Sequence, residues 1–157
     1  MAEDRDGPDL NGTFALEVSP DPDQVRTARL FAAAVARHYG AEEDRVEDLK
    51  VAISEAATNS IKAHRDAGIA DPVRVQARST EGGAIRFSVV DAGPGFSAPE
   101  GPTDPANPAT PVAGLFEGSL GLTLIQSLFP NVSIERNETR GMTVSFTLEV
   151  EPPKNGD

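Results

Sequence analysis

Apolar residues alternate with polar ones in five stretches of the chain and recur at three- and four-residue steps in three others. The first alternating stretch runs over 13–18, with Phe14, Leu16 and Val18 on one side, and reads as a strand. Pro20-Asp21-Pro22-Asp23 stops it and starts a helix, since acids in a first turn suit the helix dipole. That helix extends to about Tyr39, with Val25, Ala28, Phe31, Ala32 and Val35 as its apolar stripe and Gly40 as its C-terminal cap. A second helix is predicted over 43–64. Val46, Leu49, Ile53, Ala56 and Ser60 face the core, and a neighbouring polar face carries Glu55, Thr58, Asn59 and Lys62. Strands over 73–79 and 84–91 flank the turn Thr80-Glu81-Gly82-Gly83. A short apolar helix over 121–129 and two strands over 132–136 and 142–150, joined by a turn at 137–141, complete the series. Helices and hairpins segregate along the chain. The fold class expected is therefore α+β, a two-layer sandwich with one mostly antiparallel, mixed sheet covered on one face by helices.

Between Gly93 and Gly118 the periodicity disappears, and six prolines and five glycines take its place. Connections of that length in compact domains tend to be functional lids or disordered. Residues 1–12 and 151–157 read as flexible tails around one domain over 13–150. The 157 residues suit a single core. Cysteine is absent, which excludes a disulfide framework, a thiolate metal site and a cysteine nucleophile. No apolar run approaches the ~18 residues of a membrane span, and the acidic start Met1-Ala2-Glu3-Asp4-Arg5-Asp6 is unlike a signal peptide. A cytoplasmic protein without membrane contact is expected. The net charge of −11 repels phosphate backbones, so direct nucleic-acid binding is not expected, whereas a protein partner with a basic face is.

Two segments carry the chemistry. Glu55 and Asn59 are four residues apart on one helix, hence neighbours on its surface. Mg²⁺ keeps several waters and takes one or two protein oxygens besides substrate phosphates, so the Asn59 amide oxygen suffices as its protein ligand. A carboxylate one turn earlier can accept a proton from a nucleophile attacking a γ-phosphate. Lys62, one turn later, can meet a phosphate as a point charge. Taken singly, each is also an ordinary polar residue of a solvated helix. Asp91 follows Ile85, Phe87 and Val89 in parity, so a carboxylate ends a buried row and needs donors there. The exocyclic amine of adenine is one, and a turn-starting aspartate before Gly93 is the plain alternative. Gly93 and Gly95 allow a flat base close to the backbone. Gly118-Ser119-Leu120-Gly121 opens the third helix, where free N–H groups bind phosphate oxygens.

In this order and spacing, Glu55-x-x-x-Asn59, Asp91-x-Gly93-x-Gly95 and Gly118-x-x-Gly121 resemble the N, G1 and G2 boxes of the GHKL ATPases. The two helices and Val51-Ala52-Ile53-Ser54-Glu55-Ala56 look most like the bacterial anti-sigma factor serine/threonine kinases. The resemblance implies a Bergerat ATP-binding fold, with ATP and Mg²⁺ as cofactors. Asn59 would be the metal ligand, Glu55 the catalytic base and Asp91 the adenine partner, with Lys62, Gly93, Gly95, Gly118 and Gly121 completing the nucleotide site. It also implies phosphorylation of a small antagonist protein, sequestration of a sigma factor, a homodimer, and Arg29 of the first helix as a partner contact.

Three departures from that pattern stand out. No Lys or Arg occurs between Arg86 and Arg136, so the lid offers ATP no cation. Met142 follows Gly141 where the family often has threonine, and its parity with Val144 and Phe146 turns it inward while Thr143 turns away. His64 comes five residues after Asn59 instead of four. A partner-docking module that holds ATP with little or no catalysis, and a switch kinase that activates a phosphatase, are the competing readings.

Overall fold

The structure is a computed structural model, and it describes residues 12–94 and 120–150. Eight elements follow one another: β1 (Thr13–Val18), α1 (Gln24–His38), α2 (Glu43–Asp66), β2 (Val73–Ser79), β3 (Ala84–Val90), α3 (Leu120–Leu128), β4 (Ser133–Arg136) and β5 (Met142–Glu149). The strands form one sheet in the order β1-β2-β3-β5-β4. Each of its four pairings is antiparallel, so the mostly antiparallel sheet expected is found without the parallel pair that a mixed sheet allowed for.

Alternation decides which face of the sheet is covered. Val73, Val75 and Ala77 of β2, Ile85, Phe87 and Val89 of β3, and Val144, Phe146 and Leu148 of β5 are buried together with the apolar stripes of the helices. The opposite parity carries Arg74, Arg78 and Arg86, all exposed. Phe146 links the layers: it stacks on Phe87 (6.4 Å between centroids) and meets Phe129, just beyond α3, at 4.9 Å. Such aromatic pairs add ~0.5–1.5 kcal/mol beyond their burial.

Glycine ends both long helices. At the end of α1, Gly40 has φ +84°, its N–H bonds the Arg37 carbonyl, and the Ala41 N–H bonds that of Ala36. At the end of α2, Gly68 (φ +67°) and Ile69 repeat this on Arg65 and His64. This is the left-handed glycine cap that closes a helix with two reversed bonds. It carries α2 to Asp66, two residues beyond the expected His64. The ends of α1 and α2 are cross-linked on the surface, where Arg37 and Glu43 form an ion pair of 2.8 Å. Arg45, in the first turns of α2, donates to the Leu128 carbonyl and lies 4.6 Å over the Phe129 ring, which fixes the far end of α3. Gly121, at the near end of α3, lies against Glu55. The short helix therefore runs antiparallel along α2. Among the described residues, no helix is long and apolar enough to cross a membrane.

Candidate nucleotide and acceptor site

Asp91 directly follows β3, which ends one residue short of the strand end expected at 91, and the chain around it bends to serve its side chain. Its Oδ1 accepts from the Gly93 N–H (3.0 Å) and the Met142 N–H (3.1 Å), and its Oδ2 accepts from the Ser60 hydroxyl (3.1 Å). Its backbone N–H donates to the Met142 carbonyl at 2.9 Å, and its carbonyl accepts from Asn137 Nδ2 at 3.1 Å. Asn137 is in turn held by the Thr143 hydroxyl, which donates to Oδ1 at 2.6 Å. Three donors thus converge on one carboxylate, a group that as an ion only accepts, and a lone pair of Oδ2 is still free. Gly141 makes this closure possible. It has φ +92°, and a Cβ there would run into the Asp91 carbonyl.

The free side of Asp91 faces a cavity of about 230 Å³ between α2 and the sheet. Ala56, Ala63, Leu122, Met142 and Val144 give it apolar walls, and Asn59 and Lys62 stand at its α2 side. That volume is below the ~300–1,000 Å³ of sites that enclose a whole ligand. The described walls therefore suit the base end of a nucleotide: they are mainly apolar, with the Asp91 carboxylate as acceptor and Asp66 held by Lys62. The residues fit an adenine, whose amine supplies the donor that Oδ2 can still take. They also fit a magnesium ion arriving with the phosphates. Asn59 offers one amide oxygen, and no group of three or more His, Cys, Asp or Glu side chains able to hold a metal occurs among the described residues.

Glu55 does not line that cavity. Sequence spacing puts Glu55 and Asn59 on one wall of one pocket, but the four-residue step rotates a side chain by ~40° around the helix, and α3 meets Glu55 at Gly121 and the cavity at Leu122. A Cβ on Gly121 would collide with Glu55 Oε2, so the missing side chain is what leaves room for the carboxylate. Glu55 opens instead onto a groove of about 470 Å³ between α1 and α2, lined with Arg26, Arg29, Leu30, Lys50, Val51 and Ser54. Arg29 and Glu55 thus share one groove, while Asn59 and Asp91 share the cavity beside it. Leu30 and Val51 are apolar yet 50% and 39% exposed, as an interaction surface requires.

The remaining expected residues divide further. Lys62 stands at the cavity's edge but is exposed, and its Nζ is paired with Asp66 at 2.6 Å. Gly93 is buried at the turn and donates to Asp91. A Cβ there would meet Ala63 and Asp91 at ordinary contact distances, so the described neighbours leave room for a small side chain. Met142 faces the cavity and Thr143 the other way, as parity implied. Gly95, Gly118 and most of the expected lid, 95–118, lie outside the described residues.

Sequence reasoning misses Ser60, Asn137 and His64 as site residues. Helical spacing marks Ser60 only as core-facing. His64, next on that same row, is fully buried and bonded on both ring nitrogens. The signal is present all the same: two polar residues in an apolar row need partners.

Comparison with known proteins bears on the family and the fold. The pattern of the histidine kinase-like ATPase domain matches residues 18–148. The serine-protein kinase RsbW of Bacillus velezensis is 33% identical over 135 residues, covering 84% of this chain and 82% of that protein. The protein of the same name in Bacillus subtilis is 31% identical over 134 residues, with the same coverage. Among solved structures, the RsbU and RsbW domains of Rv1364c from Mycobacterium tuberculosis superpose with a TM-score of 0.64 at 19% identity, over 90% of this chain and 33% of that one. At that identity the likeness concerns the fold.

Proposed function

The chain belongs to the histidine kinase-like ATPase family, and from that premise we propose that it is an ATP- and Mg²⁺-dependent serine/threonine protein kinase that acts as an anti-sigma factor. Its substrate is a small antagonist protein, and in its other state it holds a sigma factor as a homodimer. Relatives at 31–33% identity over most of the chain, named serine-protein kinases, support the activity. One observation carries the division of labour. Asn59 and Asp91 line a cavity of a size to take the base end of a nucleotide, and Glu55, one helical turn from Asn59, lines a groove with Arg29.

Each residue then has a task set by its place. Asp91 accepts the adenine amine on Oδ2, and Met142, Val144 and Leu122 exclude water from the ring. Asn59 offers its amide oxygen to the metal, which when bound neutralises charge on the β- and γ-phosphates. Glu55 receives the proton of an acceptor serine or threonine presented along the α1–α2 groove. As the hydroxyl oxygen bonds to the γ-phosphorus, the bond from that phosphorus to the β–γ bridging oxygen breaks and ADP leaves. Arg26 and Arg29 line the groove on the α1 side, while Lys50 is paired with Glu47 at 3.1 Å, so the two arginines are the cations offered to an acidic acceptor segment. Lys62 exchanges Asp66 for a phosphate oxygen.

Incubation with γ-labelled ATP and a candidate antagonist tests this reading. Label should move to a serine or threonine of the antagonist in the wild type and not in Glu55→Ala. In parallel, titration with Mg-ATP should show binding that Asn59→Ala weakens strongly. ATP binding without transfer to any antagonist would establish the docking module instead.

A further inference from the structure

We infer that His64 is a positioning residue for base recognition, holding the Ala92–Gly93 turn so that the Asp91 carboxylate is aimed at the cavity. The inference rests on the nucleotide-site reading above. His64 is fully buried near the C-terminal end of α2. Its Nδ1 lies 2.9 Å from the Asp71 carbonyl oxygen, ahead of β2, and its Nε2 accepts from the Ala92 N–H at 2.9 Å. A carbonyl can only accept and an amide N–H can only donate, so both bonds hold for one form alone: the neutral ring with its proton on Nδ1.

The consequence for Asp91 follows from chain order. The Ala92 N–H is tied to His64, and the next N–H, that of Gly93, is tied to Asp91 Oδ1 at 3.0 Å. Fixing the first amide sets the plane of the turn and so the direction of the second. The ring also flanks Gly93 directly: a Cβ placed there would lie 3.8 Å from His64 Cδ2. One imidazole thus joins the end of α2, the entry to β2 and the adenine end of β3. Ser60, one turn earlier on the same helix, holds Asp91 Oδ2 at 3.1 Å. The row that packs the core therefore also places both oxygens of the recognition carboxylate, Oδ2 through Ser60 and Oδ1 through His64 and the turn.

The two amide side chains separate this role from mere packing. Glutamine can span both partners, its Oε1 accepting from Ala92 and its Nε2 donating to Asp71. Asparagine is shorter, so it reaches the Asp71 carbonyl and leaves the Ala92 N–H unpaired. The experiment compares wild type, His64→Gln and His64→Asn by amide hydrogen exchange without nucleotide and by phosphotransfer kinetics with Mg-ATP and Mg-GTP. Exchange at Ala92, Gly93 and Met142 should rise about tenfold or more in His64→Asn and stay near wild type in His64→Gln, with amides of α1 unchanged in both. KM for ATP should rise about tenfold in His64→Asn, the preference for ATP over GTP should fall, and kcat should hold. Glutamine should restore all three. Equal exchange and equal KM in the two variants would overturn the inference. If wild type binds no nucleotide, the nucleotide-site reading fails, and the exchange rates at Gly93 alone decide whether His64 holds the turn.

Discussion

The two ends of the candidate site are built on opposite terms. At the base end, every polar atom of Asp91 has a partner, and most of those partners are backbone N–H and C=O groups of the turn and of β5. At the phosphate end, the side chains of Glu55 and Asn59 make no hydrogen bond or ion pair among the described residues, and Lys62 is tied only to an exposed Asp66. The contrast has a physical logic. Recognition of a neutral base requires an acceptor fixed in place before the ligand arrives, because a wandering carboxylate would be satisfied by water. A triphosphate with its metal is a concentrated charge that can itself order the side chains around it. Under the proposed function, rigidity is thus placed where discrimination is needed, and freedom is left where the ligand supplies the organising field.

The sharpest way to break this comparison is at the loose end. Glu55→Gln keeps shape and removes the base, so kcat should fall by ~10²–10⁴, the range for a lost general base. Mg-ATP affinity should be unchanged, because Glu55 lines the groove and not the cavity. A fall in ATP affinity matching the fall in kcat would show that the two compartments are one.

At the rigid end, stability and recognition should move together. Gly141→Ala forces a φ of +92° on a side chain and drives a methyl into the Asp91 carbonyl. A loss of about 3 kcal/mol is expected from strain and displaced backbone together, read from the urea midpoint. Asp91→Asn is milder and more selective. Its Oδ1 can still accept from Gly93 and Met142, and Ser60 can turn its hydroxyl to accept. Its amide then faces the adenine amine, donor against donor. Folding should be near wild type while Kd for Mg-ATP rises ~10–100-fold. Normal ATP binding by the Asp91→Asn variant would remove Asp91 from base recognition.

Much of this is legible in residue order. The sheet, the two long helices and the inward parity of Met142 follow from period-2 and period-3.6 patterns, because those patterns are the cause of the burial. Asn59 and Asp91 line one cavity because α2 packs on the sheet and Asp91 follows the buried row of β3. What escapes is set by contacts distant in sequence. The room for the Glu55 carboxylate depends on Gly121, some sixty residues away. The end of α2 at Asp66 is decided by the left-handed cap at Gly68. Ser60 and His64 are hidden because a buried polar residue and a core residue occupy the same helical row. Only the partner across the fold distinguishes them.

The smallest effect concerns Lys62, and it tests whether the loose end is organised by the ligand. In the structure its Nζ is 2.6 Å from Asp66, with both side chains well exposed. Such a helical pair contributes ~0.3–0.5 kcal/mol and is screened by salt, so Lys62→Ala should leave the melting curve almost unchanged. Its binding effect should be larger than its stability effect. If the ammonium leaves Asp66 for a phosphate, Kd for Mg-ATP should rise a few-fold at low ionic strength, and the difference from wild type should shrink at high salt. Adenosine, which carries the base and no phosphate, should bind both proteins alike. Weakened adenosine binding in Lys62→Ala would mean that the residue supports the rigid end, and the division between the two halves would have to be redrawn.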